Sequence, residues 1–113
     1  MKPYITMKEA EERAGKQGNT GRGYRLLTEE NGCVAGCCSG ITIYDETQYG
    51  KGGVHEDQEG FFVLEGDGYA LIGEEEFEVH PGTSFLAPAG VRHCIRRNED
   101  SCPVKVLYFH SAI

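Results

Sequence analysis

Between Tyr24 and Phe109 no apolar segment lasts more than six residues before a turn signal ends it. The segments are Tyr24–Leu27, Cys33–Cys38, Ile41–Tyr44, Phe61–Leu64, Tyr69–Ile72, Phe77–Val79, Phe85–Ala87, Val91–Ile95 and Val104–Phe109. Between them stand Glu30-Asn31-Gly32, Gly66-Asp67-Gly68, Gly73-Glu74-Glu75, Pro81-Gly82 and Pro88-Ala89-Gly90. Gly and Pro punctuate so often that a helix has no room to propagate, whereas a strand needs only a few residues. The pattern therefore predicts an all-β sandwich or barrel.

The exception comes first in the chain. Thr6 followed by Glu9 is a capping box, and residues 6–14 read as one short helix that Gly15 stops. GKQGNTGRG then reads as a flexible connector. The expected division is a helix and connector over residues 1–22 and a single β domain over 23–113. Eleven Lys and Arg against 18 Asp and Glu give a net charge of −7, a sign that repels a phosphate backbone and excludes nucleic acid as a partner. The longest apolar runs have four residues, far short of the ~20 a membrane span requires. The first residues contain no apolar stretch of the kind that directs secretion, so a cytoplasmic protein is expected. Its five cysteines, Cys33, Cys37, Cys38, Cys94 and Cys102, are then expected as reduced, buried thiols. Cys33-x3-Cys37 lacks the second close pair of a cysteine zinc site.

Two segments are more specific. Gly82-x5-Pro88-x-Gly90-x2-His93 resembles the second motif of the cupins, and His55-x3-Glu59-x6-Gly66 resembles the latter part of their first motif. Fifteen residues lie between Gly66 and Gly82, similar to the interval in small single-domain bacterial members. The resemblance covers about residues 24–110. It implies a double-stranded β-helix, or jelly roll, and a divalent metal ion (Fe, Mn, Ni, Zn or Cu) held inside it. Carried over position by position, the metal ligands are His55, Glu59 and His93.

The spacing also makes chemical sense by itself. On a straight strand four residues span ~13 Å, so a turn through Glu56-Asp57-Gln58 is needed before His55 and Glu59 can share an ion. A second turn at Pro88–Gly90 delivers His93. Two imidazoles and one carboxylate make a facial triad with open coordination positions. The departures from the cupin pattern are informative as well. Its first histidine falls on Gly53, its opening glycine on Thr47 and its closing asparagine on Arg97. The other register, with His55 first and Asp57 second, leaves a phenylalanine where the glutamate belongs. In the preferred register, Gly53→His is expected to rebuild a four-ligand set and tighten metal binding, provided Gly53 needs no positive φ.

Alternation along the strands places Phe61, Val63, Ile95 and Arg97 on the ligand-bearing faces, with Tyr108 beside them, as the expected lining of a small-molecule pocket. Tyr44 and Gln48 can reach its rim. His80 is expected in a solvated turn and His110 at a frayed strand end, outside the ligand set. Phe62 and Leu64, like Leu107 and Phe109, are apolar on the opposite face and call for a partner surface, which predicts a homodimer. The resemblance implies metal-dependent isomerase, decarboxylase or dioxygenase chemistry on an oxygen-rich metabolite. Its alternative is a non-catalytic ligand-binding or sensor cupin without metal.

Overall fold

The computed structural model describes residues 2–17 and 22–111. Helix α1 (Met7–Lys16) is capped as the sequence predicts. Thr6 Oγ1 accepts from the Glu9 amide at 3.2 Å, and Glu9 Oε1 accepts from the Thr6 amide at 3.2 Å. It does not stop at Gly15 but runs to Lys16, because the Gln17 amide still finds the Arg13 carbonyl at 3.1 Å. Ala10 and Ala14 are its buried residues, and Arg13 donates to the Arg25 and Leu26 carbonyls, tying the helix to the first strand. The expected connector falls partly on residues 18–21, outside the described residues.

Eight strands follow: β1 (Gly23–Arg25), β2 (Cys38–Tyr44), β3 (Gln58–Glu65), β4 (Gly68–Ile72), β5 (Glu75–Val79), β6 (Ser84–Ala87), β7 (His93–Arg97) and β8 (Val104–Ser111). They form a five-stranded sheet in the order β1-β2-β8-β3-β6 and a three-stranded sheet in the order β5-β4-β7, with every pairing antiparallel. This is the expected all-β architecture. Phe61, Val63, Ala87, Val104 and Val106 from the larger sheet meet Ala70, Val79 and Ile95 from the smaller one in a single apolar core. Phe85 stacks on Phe61 at 4.7 Å and meets Phe77 edge-on at 5.4 Å, closing the seam. Each large side chain fully buried there contributes on the order of 1.5–3 kcal/mol.

Two expectations about the strands are corrected. Cys33–Cys37 is not a strand. Gly32, Ala35 and Gly36 all take positive φ, which bends the segment into turns, and β2 begins only at Cys38. The cysteines are accordingly not all buried: Cys94 is, but Cys37 and Cys102 are exposed, and all five are free thiols. At the other end β8 does not fray before His110. It pairs with β2 and β3 on both sides, and its ladder reaches Ser111.

Candidate metal centre

Three local structures converge at one end of the core. His55 lies in the loop entering β3, Glu59 on β3 itself, and His93 is the first residue of β7. The β6–β7 turn holds the first and third together. Gly90 adopts φ 74° and turns its amide onto the His55 carbonyl at 2.8 Å, while the Val91 amide closes on the Pro88 carbonyl at 3.1 Å. Gly53 and His93 exchange both backbone hydrogen bonds at 2.9 Å, so the residue standing where the cupin pattern has its first histidine does face the site.

The side chains meet on one atom. Glu59 Oε1 lies 2.9 Å from His55 Nε2, 3.3 Å from His93 Nε2 and 3.5 Å from His110 Nε2. The chain thus brings together the three ligands expected from sequence, and adds one not expected. His110 lies directly opposite Glu59 in the β3–β8 register. Counting by twos from Val104 through Val106 and Tyr108 leads to His110 on the same face; that alternation was the available signal. Asp57, which the sequence offered only as a ligand of the other register, stands behind two of these rings. Its Oδ1 is 2.5 Å from His55 Nδ1 and its Oδ2 2.9 Å from His110 Nδ1.

The electrostatics follow from this crowding. Burial opposes the charge on Glu59, yet hydrogen bonds and charge from His93, His110 and His55 hold its carboxyl below its ordinary value. Burial likewise opposes the charge on Asp57, and the His110 and His55 rings more than compensate, lowering it. For His55 burial pulls downward while Glu59 and Asp57 raise it, with a net rise. His93 is different. Its Nδ1 is buried without any hydrogen-bond partner, and its ring packs against His55 (5.0 Å) and Phe61 (5.7 Å). Glu59 is therefore the polar group that His93 faces.

A cavity of about 380 Å³ opens beside these residues, lined by Glu59, His93, Tyr44, Gln48, Cys94 and Ile95 among others. Burial and the Glu59 charge push the Tyr44 phenol well above its usual range, so it remains protonated. The remaining sequence expectations divide. Ile95 lines the cavity, as do Tyr44 and Gln48. Phe61 and Val63 lie beneath it in the core. Tyr108 borders a different groove, between α1 and the β1–β2 edge, although its ring meets His110 edge-on at 5.6 Å. Arg97 does not line the cavity. Its Nε donates to the Asp45 carbonyl (2.7 Å) and carboxylate (3.1 Å), and Nη1 donates to the carbonyls of Asn98, Glu99 and Ser101, which uses up the fork that a substrate anion would need. His80 is half-exposed and pairs with Asp67 at 2.9 Å, away from the site.

The donor set fits a divalent ion. Ligand atoms ~2.1 Å from a common ion stand roughly 3.0 Å apart at octahedral angles and roughly 3.4 Å apart at tetrahedral ones. The Nε2–Oε1 separations of 2.9 and 3.3 Å for His55 and His93 span that interval. Imidazole nitrogen with carboxylate oxygen suits first-row transition metals.

The sequence profile of the Cupin domain family matches residues 43–110, well over half the chain and all four converging residues. The chain is a cupin. Solved structures share its fold at low identity. A cupin protein from Bacteroides fragilis superimposes with a TM-score of 0.67 at 18% identity, over 99% of this chain and 86% of that one. The cupin domain of Schizosaccharomyces pombe Cnp3 gives 0.68 at 15% identity over 80% of this chain, which spans 60% of that domain's length. The TT1209 protein of Thermus thermophilus gives 0.63 at 24% identity, covering 80% of this chain and 84% of that one. At these identities the likeness carries the jelly-roll fold alone. No curated protein matches the chain.

Proposed function

We propose that this cupin holds one divalent metal ion through His55, Glu59 and His93 and presents it to a small, oxygen-rich metabolite in the adjoining cavity. The observation that supports this most is the aim of two imidazole Nε2 atoms from separate segments at one carboxylate oxygen, on the wall of a cavity. When bound there, the ion supplies Lewis acidity for isomerase, decarboxylase or dioxygenase chemistry. The protein's own groups do the rest. Glu59 brings the negative charge that offsets the ion. Ile95 and Cys94 give the cavity an apolar wall, and the protonated Tyr44 phenol can donate a hydrogen bond to a substrate oxygen. Five free thiols are in keeping with a cytoplasmic setting. Among the described residues no helix is long and apolar enough to cross a membrane.

The test is elemental analysis of protein purified without a histidine tag after supplementation with Fe, Mn, Ni, Zn or Cu. About one equivalent of one metal is expected, lost in His93→Ala with the fold intact by circular dichroism. Less than about one-tenth equivalent of every metal overturns the proposal. Mass spectrometry of a copurifying metabolite, followed by a search for metal-dependent turnover, separates an enzyme from a binding module, which shows thermal stabilisation by that metabolite and no product.

A further inference from the structure

The cupin pattern lacks one imidazole here, because Gly53 stands in its place. A side chain at that position would have to displace a neighbour slightly: a Cβ built on Gly53 would lie 3.0 Å from His93 Nε2 and 3.1 Å from its Cε1, so the His93 ring would have to give by a few tenths of an ångström. That is tighter than side chains normally tolerate. On the opposite side of the cluster, His110 reaches in from β8. Its Cα pairs with that of Glu59 across the sheet, its ring centroid lies 4.8 Å from that of His55, and its Nε2 is 3.5 Å from Glu59 Oε1. This separation is similar to that of His93 Nε2 from the same oxygen, 3.3 Å.

Asp57 explains how the two outer rings are oriented. The Asp57 backbone carbonyl accepts from His55 Nδ1 at 3.1 Å with Oδ1 of the same residue beside it, and the other carboxylate oxygen accepts from His110 Nδ1 at 2.9 Å. With both Nδ1 atoms occupied, both Nε2 atoms are left facing Glu59. A carboxylate behind a ligating imidazole selects its tautomer and fixes its ring. Here a single residue does so for two rings, His55 through its backbone carbonyl and the neighbouring Oδ1, and His110 through Oδ2. His110 also belongs to a second grouping with His55 and Asp57, in which an ion would be held on the Nδ1 edge of both rings, away from Glu59 and His93.

We propose that His110 is the third imidazole of the metal centre, supplied by the last strand in place of the histidine absent at Gly53, and that Asp57 is the positioning residue that aligns His55 and His110 as a pair. The inference rests on the metal site proposed above and extends it to a three-histidine, one-glutamate set with a different strand as donor. The exposed His80, paired with Asp67 and Glu78 on the surface, provides an internal control.

The probe is Co²⁺ or Zn²⁺ alone. X-ray absorption at the zinc edge of the loaded wild-type protein is expected to show three imidazoles, and two in His110→Ala. Calorimetric titration with Co²⁺ is expected to weaken at least tenfold in His110→Ala and by about 10–100-fold in Asp57→Asn. Asp57→Glu should recover part of the loss, and His80→Ala should bind as wild type does. A purely structural role for Asp57 would lower the melting temperature without changing the Co²⁺ absorption spectrum; a positioning role changes the spectrum. Two imidazoles in the wild-type protein, or an unchanged affinity and spectrum in a folded His110→Ala, overturn the inference while leaving the three-residue site standing. A wild-type protein that takes up no ion overturns both.

Discussion

At the residue scale, the contrast between Gly53 and His110 carries the most information. The expectation that Gly53→His would tighten metal binding required that Gly53 need no positive φ, and that condition holds, since Gly53 is not among the positive-φ glycines. Sterics add a second demand: the new Cβ would lie 3.0 Å from His93 Nε2, and the ring, packed against His55 and Phe61, would have to shift by a few tenths of an ångström. We expect Gly53→His to bind Co²⁺ no more tightly than wild type, and more weakly if the His93 ring is displaced. Calorimetric titration checks this, and a clear gain in affinity would show that the site still lacks a ligand. His55, Glu59 and His93 were legible because their spacing resembles the two cupin motifs, from which they were carried over position by position. His110 was legible only by alternation along a strand whose end had been placed too early. Asp57 was legible only as a ligand of the other register, and its place behind two rings was not: its partners are 2 and 53 positions away, and only the fold brings both to one residue. Arg97 shows the opposite error. The parity that suggested it for the pocket could not reveal that loop carbonyls from Asn98 to Ser101 curl back around its guanidinium.

At the scale of elements, most strands could be read from the chain because alternating apolar residues and turn glycines agree with each other. The Cys33–Cys37 segment could not, since cysteine and valine carry strand-like composition while Gly32 and Gly36 supply the turn that prevails. Two further turn glycines give a comparison. Gly90 (φ 74°) has open space around a notional Cβ, so Gly90→Ala pays only for the left-handed backbone, about 1–2 kcal/mol. Gly66 (φ 87°), between β3 and β4, has the same backbone demand, but its Cβ would also lie 2.5 Å from the Pro103 carbonyl oxygen, where the backbone entering β8 must move. Urea melts of the two variants should therefore rank Gly66→Ala as clearly the more destabilised. Equal losses would mean that the loop before β8 yields freely. A yielding loop would also loosen the strand that carries His110, so the same pair of melts bears on how firmly that ligand is held.

At the scale of the whole molecule, the larger sheet has two apolar faces and the fold covers only one. Phe61, Val63, Val104 and Val106 fill the interior, while Phe62, Leu64, Leu86 and Phe109 remain 40–51% exposed on the outer face. Helix α1 packs on β1, at the edge of the sheet farthest from β6, and leaves this face bare. Phe109 is laid across Gly60 of the neighbouring strand: a Cβ there would come within 2.2 Å of its ring, so the glycine lets the aromatic lie flat against the sheet. A flat patch of large apolar residues on a chain this small is better suited to a matching surface than to water, and a second copy offers one through a two-fold axis. We therefore expect the protein to form a dimer through the outer faces of β3, β6 and β8. Light scattering coupled to size exclusion should give twice 12.4 kDa at micromolar concentration. Phe62→Lys combined with Phe109→Lys should shift the particle to the monomer mass while preserving the β-sheet circular dichroism signal, since neither side chain belongs to the core. Because His110 follows Phe109 on the same strand but points to the opposite face, the same double variant should still bind one Co²⁺. A wild-type protein that elutes as a monomer at every concentration excludes the dimer. A monomeric double variant that loses its metal would instead mean that association across the outer face is needed to hold β8, and His110 with it, in place.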